Sequence, residues 1–247
     1  MIVTDPLSPL VAVPAVAEAA DAARDALAQV HRHPANRREW RGTATESSLR
    51  GARASAALDG GAVELSRDQL VTDPVLAGAM RVYQAIDGDS LDATVAVWRR
   101  APLQVLARLH TLAAADLVDG DDERLGRPRS GAGERLGLLA DLVTGGTKAP
   151  APVLAAVVHG ELLSLKPFEV SDGVVARAAS RLVTVASGLD PHALGIPETT
   201  WLKFAPSYAE AADAFGMGST DGVVAWVVLC CQALEAGARE SLALADR

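Results

Sequence analysis

The chain has 247 residues and a formal net charge of −8; 49% of its residues are apolar and only 4% are aromatic. This composition supports the buried core of one large domain or two small ones and excludes an intrinsically disordered chain. The scarcity of aromatic and β-branched runs argues against a large sheet. The acidic charge disfavours a nucleic acid or an anionic membrane as the main partner.

The two cysteines and the apolar runs of the chain indicate in which cellular compartment the protein is expected. Cys230 and Cys231 are adjacent in sequence, and helical neighbours point about 100° apart, so they are predicted to be small, unbridged, buried residues of a reducing compartment. No Cys/His spacing typical of a metal site occurs, so no metal is expected. The N-terminus lacks the pattern of a signal peptide, and the longest apolar run, residues 223–231, is too short to span a bilayer. We therefore expect a cytoplasmic protein.

The N-terminal part of the chain is predicted to form an arm over residues 1–42. It consists of a Pro-rich segment, a helix over 14–30 with apolar residues three and four apart, and a polar connector over 31–42. Thr43 to Glu46 has the pattern of a capping box, in which the Thr oxygen and the Glu carboxylate accept from free amides of the first turn. A helix over 45–58 should follow and end at Asp59-Gly60-Gly61.

The remaining residues, 43–247, are predicted to form one all-α domain. Further helices are expected over 74–86, 90–99, 102–117, 134–143, 152–165, 172–187, 198–204, 208–215 and 221–245. A short β-hairpin around residues 145–150 is the only strand candidate. The charged segment 118–130 is predicted to be a solvated loop.

The segment between the two central predicted helices is the most informative part of the chain. Residues 166–177 are Lys-Pro-Phe-Glu-Val-Ser-Asp-Gly-Val-Val-Ala-Arg. They resemble the signature of the Fic (Fido) family, H-P-F-x-x-G-N-G-R-x-x-R, whose members transfer AMP from ATP to protein hydroxyls. Pro167, Phe168, Gly173 and Arg177 stand at matching positions. The resemblance implies a Fic-like helical domain.

The catalytic position of that signature is altered. Lys166 stands where the family has the His that takes a proton from the target hydroxyl. An ammonium of ordinary pKa is already protonated at neutral pH and cannot accept this proton. Val170 occupies the position of the carboxylate that holds magnesium, which again implies that no metal binds.

The resemblance assigns the phosphate-binding positions to Ser171, Asp172, Gly173 and Arg177. Ser171 replaces a Gly, Asp172 replaces the Asn and Val174 replaces the first Arg, so these positions are expected to be vestigial. A negative charge at Asp172 would oppose a phosphate. No cofactor is therefore expected, and ATP with magnesium would be expected only if the altered site still binds a nucleotide.

A second part of the resemblance lies upstream. Some Fic proteins carry a self-inhibiting helix with the pattern Ser/Thr-x-x-x-Glu-Gly/Asn, whose Glu pairs with the second signature Arg. Residues 55–60, Ser-Ala-Ala-Leu-Asp-Gly, fit this pattern with Asp in place of Glu. The resemblance implies an inhibitory-type helix over 45–60 and an Asp59–Arg177 ion pair. The alternative is that Asp59 belongs only to a helix-ending turn.

Three functional hypotheses follow from these residues. The first is a Fic-domain pseudoenzyme that has lost protein AMPylation and has a regulatory role, with an unknown protein partner, no nucleic acid and no membrane; its long C-terminal helix permits a homodimer. The second is an unconventional nucleotidyl or phosphoryl transferase that uses Lys166 and Arg177, or His159 as a displaced base. The third is a helical interaction module unrelated to Fic. Otherwise, His159 and His110 are predicted to be ordinary core or surface histidines.

Overall fold

The computed structural model describes residues 5–62, 71–120 and 122–246. Its helices are α1 (Ser8–Val11), α2 (Pro14–Arg32), α3 (Pro34–Glu39), α4 (Arg41–Leu58), α5 (Pro74–Ala85), α6 (Gly88–Trp98), α7 (Pro102–Ala114), α8 (Gly133–Asp141), α9 (Ala151–Leu165), α10 (Asp172–Ala186), α11 (Pro197–Lys203), α12 (Ala205–Gly216) and α13 (Thr220–Ala245). A π-helical turn, Leu142–Gly146, continues α8. These described residues contain no strand, so the predicted all-α architecture is confirmed.

Two apolar clusters meet at α9. Ala155, Val158 and Leu162 pack into a cluster formed with α4 to α7 and α10, whereas Val153 and Val157 pack into a second cluster formed with α2, α12 and α13. A helix that contributes to a core on more than one face must be apolar all round, which explains the continuous apolar sequence of α9. The loop that follows α9 is therefore attached to the most deeply buried part of the fold.

The N-terminal helix packs along the C-terminal one. Val16 and Ala20 of α2 share a cluster with Trp226 of α13, and Leu27 of α2 shares another with Ala238. The helix predicted within the N-terminal arm thus contributes its apolar face to the core.

Helix α13 is long and apolar enough, by length and composition, to cross a membrane, with a hydropathy of 1.4 and half of the stretch buried inside the protein. A core helix passes the same test, and α13 contacts α2, α9, α11 and α12. Cys230 and Cys231 of this helix are unpaired and buried, as predicted.

Two local predictions are wrong. Helix α4 begins at Arg41 and not after a capping box, because Thr43 lies inside the helix and its hydroxyl donates to Oδ1 of Asn36 at 2.7 Å. The hairpin around 145–150 is absent: the π-helical turn extends to Gly146, and the amide of Lys148 donates to Asp5 at 2.5 Å. In both cases a partner elsewhere in the chain takes the groups that the local pattern would have used.

Candidate functional site

The loop over residues 166–171 joins α9 to α10 and has an unusual backbone. Lys166, Glu169 and Ser171 have φ angles of 46°, 67° and 56°. A left-handed conformation costs a non-glycine residue about 1–2 kcal/mol. Pro167 explains why α9 ends at Lys166, because the residue before a proline is disfavoured in the right-handed helical region, but it does not explain the left-handed conformation itself. Three such residues within six persist only where the surroundings hold them.

Arg129 holds the first part of this loop. Its backbone amide donates to the Pro167 carbonyl at 2.7 Å, while its side chain donates to the carbonyls of Leu165 at 2.9 Å and Lys166 at 3.2 Å. These bonds satisfy carbonyl groups at the end of α9 that have no partner within the helix. Arg129 therefore fixes the direction in which the chain leaves α9.

Phe168 anchors the loop to the apolar core. Its ring is buried and stacks on the ring of His110, with centroids 4.3 Å apart and an interplanar angle of 6°. Nδ1 of His110 accepts a hydrogen bond from the Gly126 amide at 2.9 Å. Burial lowers the pKa of His110 to about 4, so this ring is neutral at neutral pH. The interpretation of His110 as a core histidine is confirmed.

The outer face of the loop carries the residues that stand at the catalytic His and metal-carboxylate positions of the Fic signature. Lys166 and Glu169 are exposed, and Val170 is partly buried. The Lys166 ammonium forms no hydrogen bond or ion pair with the part of the chain that the structure describes. Within the same described ranges, no group of three or more His, Cys, Asp or Glu side chains is placed to hold a metal ion.

Asp172 begins α10 and turns back toward the loop. Its Oδ1 accepts the Phe168 amide at 2.9 Å, whereas its Oδ2 is buried and without a partner among the described residues. Burial, reinforced by the nearby Asp59 charge, raises the pKa of Asp172 to about 6 despite the hydrogen bond from the Phe168 amide. This carboxyl group accepts the amide of the loop residue Phe168, and it is mostly protonated below pH 6 and mostly ionised above it.

Asp59 places its carboxylate on the N-terminal end of α10. Oδ2 accepts the Val174 amide at 3.0 Å, and Oδ1 accepts from Nη2 of Arg177 at 2.5 Å. The free amides and the dipole at a helix N-terminus make it an anion site, and here the anion belongs to the same chain. A Cβ on Gly173 would overlap both carboxylate oxygens of Asp59, so any larger residue at that position would displace this carboxylate.

Arg177 is held on every side. Its side chain is 1% exposed; Nε donates to Oγ of Ser55 at 2.8 Å, Nη2 to the Ser55 carbonyl at 2.9 Å, and Nη1 to the Tyr208 hydroxyl at 3.3 Å. Ser55 and Asp59 are four residues apart on α4 and so project from the same face of that helix. Burial lowers the pKa of Arg177, but the Asp59 carboxylate raises it more, so its pKa lies above the usual value and the group stays charged.

The sequence analysis missed Tyr208. Its hydroxyl accepts from Arg177 and forms a hydrogen bond of 2.8 Å with Nε2 of His159. Burial and the Arg177 charge keep the pKa of His159 well below its usual value. His159 is fully buried and is a core histidine, not a displaced base open to a substrate. No local pattern marks Tyr208, because it lies on α12, 31 residues further along the chain than Arg177.

The structure thus assembles most of the residues that the signature indicates. Asp172, Gly173 and Arg177 lie on the first turns of α10, and Asp59 lies against them. Ser171 precedes the helix, but its side chain forms no capping bond. Lys166 lies apart from the Asp59–Arg177 pair on the exposed side of the loop. The residues present do not fit a magnesium-bound triphosphate, because Asp59 occupies the amide and the guanidinium that phosphates would need and Val170 offers no metal ligand.

Comparison with known proteins identifies the fold. The crystal structure of a Fic family protein from Desulfovibrio desulfuricans G20 superimposes with a TM-score of 0.62 at 18% sequence identity, over 95% of this chain and 76% of that chain. The chain therefore has the fold of Fic proteins. The hypothesis of a helical module unrelated to that fold, in which Asp59 and Arg177 would lie far apart, is wrong.

No family model matches the sequence. No curated protein matches it either.

Proposed function

We propose that this protein is a Fic-fold protein that does not transfer AMP and that acts through binding another protein in a regulatory role. The observation that carries the proposal is the position of Asp59. Its carboxylate accepts from the Val174 amide and from Arg177, and it thereby takes the positive end of α10 that a nucleotide phosphate would use. This Asp59–Arg177 pair acts as an internal inhibitory contact.

The chemistry of the loop supports the same conclusion. A general base must be able to accept a proton within reach of the target hydroxyl. The position of the signature His is occupied by the exposed Lys166, and the neutral His159 is enclosed in the core. Neither residue supplies the proton acceptor that AMP transfer to a hydroxyl requires.

The backbone of the loop supports a role in protein binding. Three non-glycine residues keep left-handed conformations around an exposed Lys166 and Glu169. Strain of this kind is retained at functional sites when the surrounding structure imposes a particular shape. A rigid exposed loop of defined charge is a surface that a protein partner can recognise.

A labelling experiment tests the loss of AMP transfer. Purified protein is incubated with ATP labelled on the α-phosphate, magnesium and cell lysate, with an active Fic enzyme as the positive control. We expect no transfer of label above background. Labelling that disappears in Lys166→Ala would refute the proposal and favour the transferase hypothesis. Lys166 is exposed, so this substitution leaves the fold intact.

A binding experiment separates the two hypotheses further. Magnesium and ATP are titrated into the protein in a calorimeter, and the same titration is made with Lys166→Ala. The proposal predicts no saturable heat in either protein, since Asp59 already neutralises Arg177. Saturable binding to the wild type that is lost in the variant would contradict it.

A further inference from the structure

A cavity of about 620 Å³ lies away from the loop that precedes α10. Its walls come from the N-terminal segment, α8, the π-helical turn and α9. No residue of the segment 166–177 lines it. Cavities that bind small molecules in proteins have volumes of about 300–1,000 Å³. The size of this cavity therefore suits a small organic ligand, and its position is independent of the proposed function.

The interior of the cavity is mainly apolar. Leu139, Leu142 and Val157 line it from three different elements, and Leu138 stands at its rim with 61% of its surface exposed. An exposed leucine next to an apolar cavity gains free energy when a ligand removes it from water, at about 25 cal/mol per Å² of apolar surface. These walls favour an alkyl or other hydrocarbon group.

One wall is held in place by a polar contact. Pro6 and Leu7 form this wall, and the preceding Asp5 accepts from the Thr147 hydroxyl at 2.7 Å and from the Lys148 amide at 2.5 Å. The Leu7 amide in turn donates to Asp5 at 2.9 Å. The N-terminal segment is thus tied to the segment after the π-helical turn, and the cavity is formed before any ligand arrives.

The charged groups of the cavity leave one carboxylate uncompensated. Arg135 and Glu161 both line it, and they form an ion pair with each other at 2.5 Å. Asp141, the third charged residue, lines the cavity and forms no ion pair in the ranges 5–62, 71–120 and 122–246. The cavity therefore carries a net charge of about −1, which attracts a cation and repels an anion.

We propose that this cavity binds an amphiphilic organic cation, a primary amine that carries an alkyl chain. The ammonium group lies at Asp141, and the chain lies against Leu139, Leu142 and Val157. Leu138 closes over the chain at the rim. The apolar walls supply the affinity, and the Asp141 carboxylate selects the charge of the head group.

Three probes of equal chain length test the proposal: octylamine, 1-octanol and octanoate. Each is titrated at pH 7 into the full chain, with detection by calorimetry and by nuclear Overhauser contacts between the probe and methyl groups of Leu139 and Val157. We expect octylamine to bind most tightly, 1-octanol more weakly and octanoate least. Asp141→Asn should weaken octylamine about two- to fivefold, as for an exposed ion pair, and leave 1-octanol unchanged.

A matched pair of variants locates the binding. Leu138→Lys removes apolar surface and adds a positive charge at the rim, so it should weaken octylamine about tenfold or more. Leu103→Lys makes the same change at another exposed leucine, on α7 and outside the cavity, and should leave binding unchanged. Both positions are exposed, so both variants are expected to fold, and their thermal unfolding is checked.

Several results would overturn the proposal. These are no binding of octylamine, equal or tighter binding of 1-octanol or octanoate, an Asp141→Asn variant that binds octylamine as the wild type does, and equal effects of the two leucine substitutions. Absence of Overhauser contacts to Leu139 and Val157 would place the amine elsewhere and would equally reject it.

Discussion

Removing the carboxylate of Asp59 tests the energetic basis of the closed site. In Asp59→Ala, the guanidinium of Arg177 stays buried at 1% exposure but loses its only anionic partner among the described residues. The Val174 amide at the start of α10 loses its acceptor as well. Both groups would then be desolvated without compensation, so the folded state should lose stability.

The size of the loss follows from the surroundings of the pair. Breaking a fully buried ion pair by removing one partner costs about 3–5 kcal/mol. The Asp59 side chain is 21% exposed, and Arg177 keeps its bonds to Ser55 and Tyr208, which reduces this cost. Loss of the helix-capping bond adds about 1 kcal/mol. We expect the free energy of unfolding to fall by about 2–4 kcal/mol.

Urea unfolding followed by far-UV circular dichroism measures this change, and Asp73→Ala is the matched control. Asp73 accepts the Leu76 amide at 2.7 Å at the start of α5, but it has no arginine partner in the part of the chain that the structure describes. Its replacement should cost only about 1 kcal/mol. The difference between the two variants isolates the contribution of Arg177, and equal losses would show that the ion pair does not hold the site closed.

Two further variants test the loop. The pKa of Asp172 is raised from 3.8 to about 6 in the folded protein, so the contribution of this carboxyl group to the free energy of unfolding should fall by up to about 3 kcal/mol as pH rises from about 4 to 6 and above. Asp172→Asn should remove this fall. The buried His110 makes the free energy of unfolding rise with pH in both proteins, so its effect cancels when the two pH profiles are subtracted. Parallel profiles for the wild type and the variant would contradict the raised pKa of Asp172. Ser171→Gly relieves a left-handed residue that forms no capping bond and should raise the free energy of unfolding by about 1 kcal/mol in urea, whereas a loss of stability would show that the Ser171 side chain contributes contacts of its own.

The sequence by itself determined most of the helices and the place of the candidate site. Helices α1 and α3 lie in segments for which no helix was predicted. Pro74 after Asp73 marks the start of α5, and Pro167 marks the end of α9 at Lys166, because both act on the backbone within a residue or two. The pairing of Asp59 with Arg177 followed from a resemblance that spans both segments. The start of α4 and the hairpin around residues 145–150 were mispredicted, since tertiary partners outweighed local propensity there.

Only the tertiary structure decided which side chains complete the site. Tyr208 reaches Arg177 from α12, and Arg129 reaches the end of α9 from a loop before α8. Contacts between residues so far apart in the chain leave no periodicity in the sequence, because they depend on how helices pack and not on how each one forms. The same holds for the charge of Arg177 in the second turn of α10: the sequence places an arginine there, but packing of α4 is what brings a carboxylate to neutralise it.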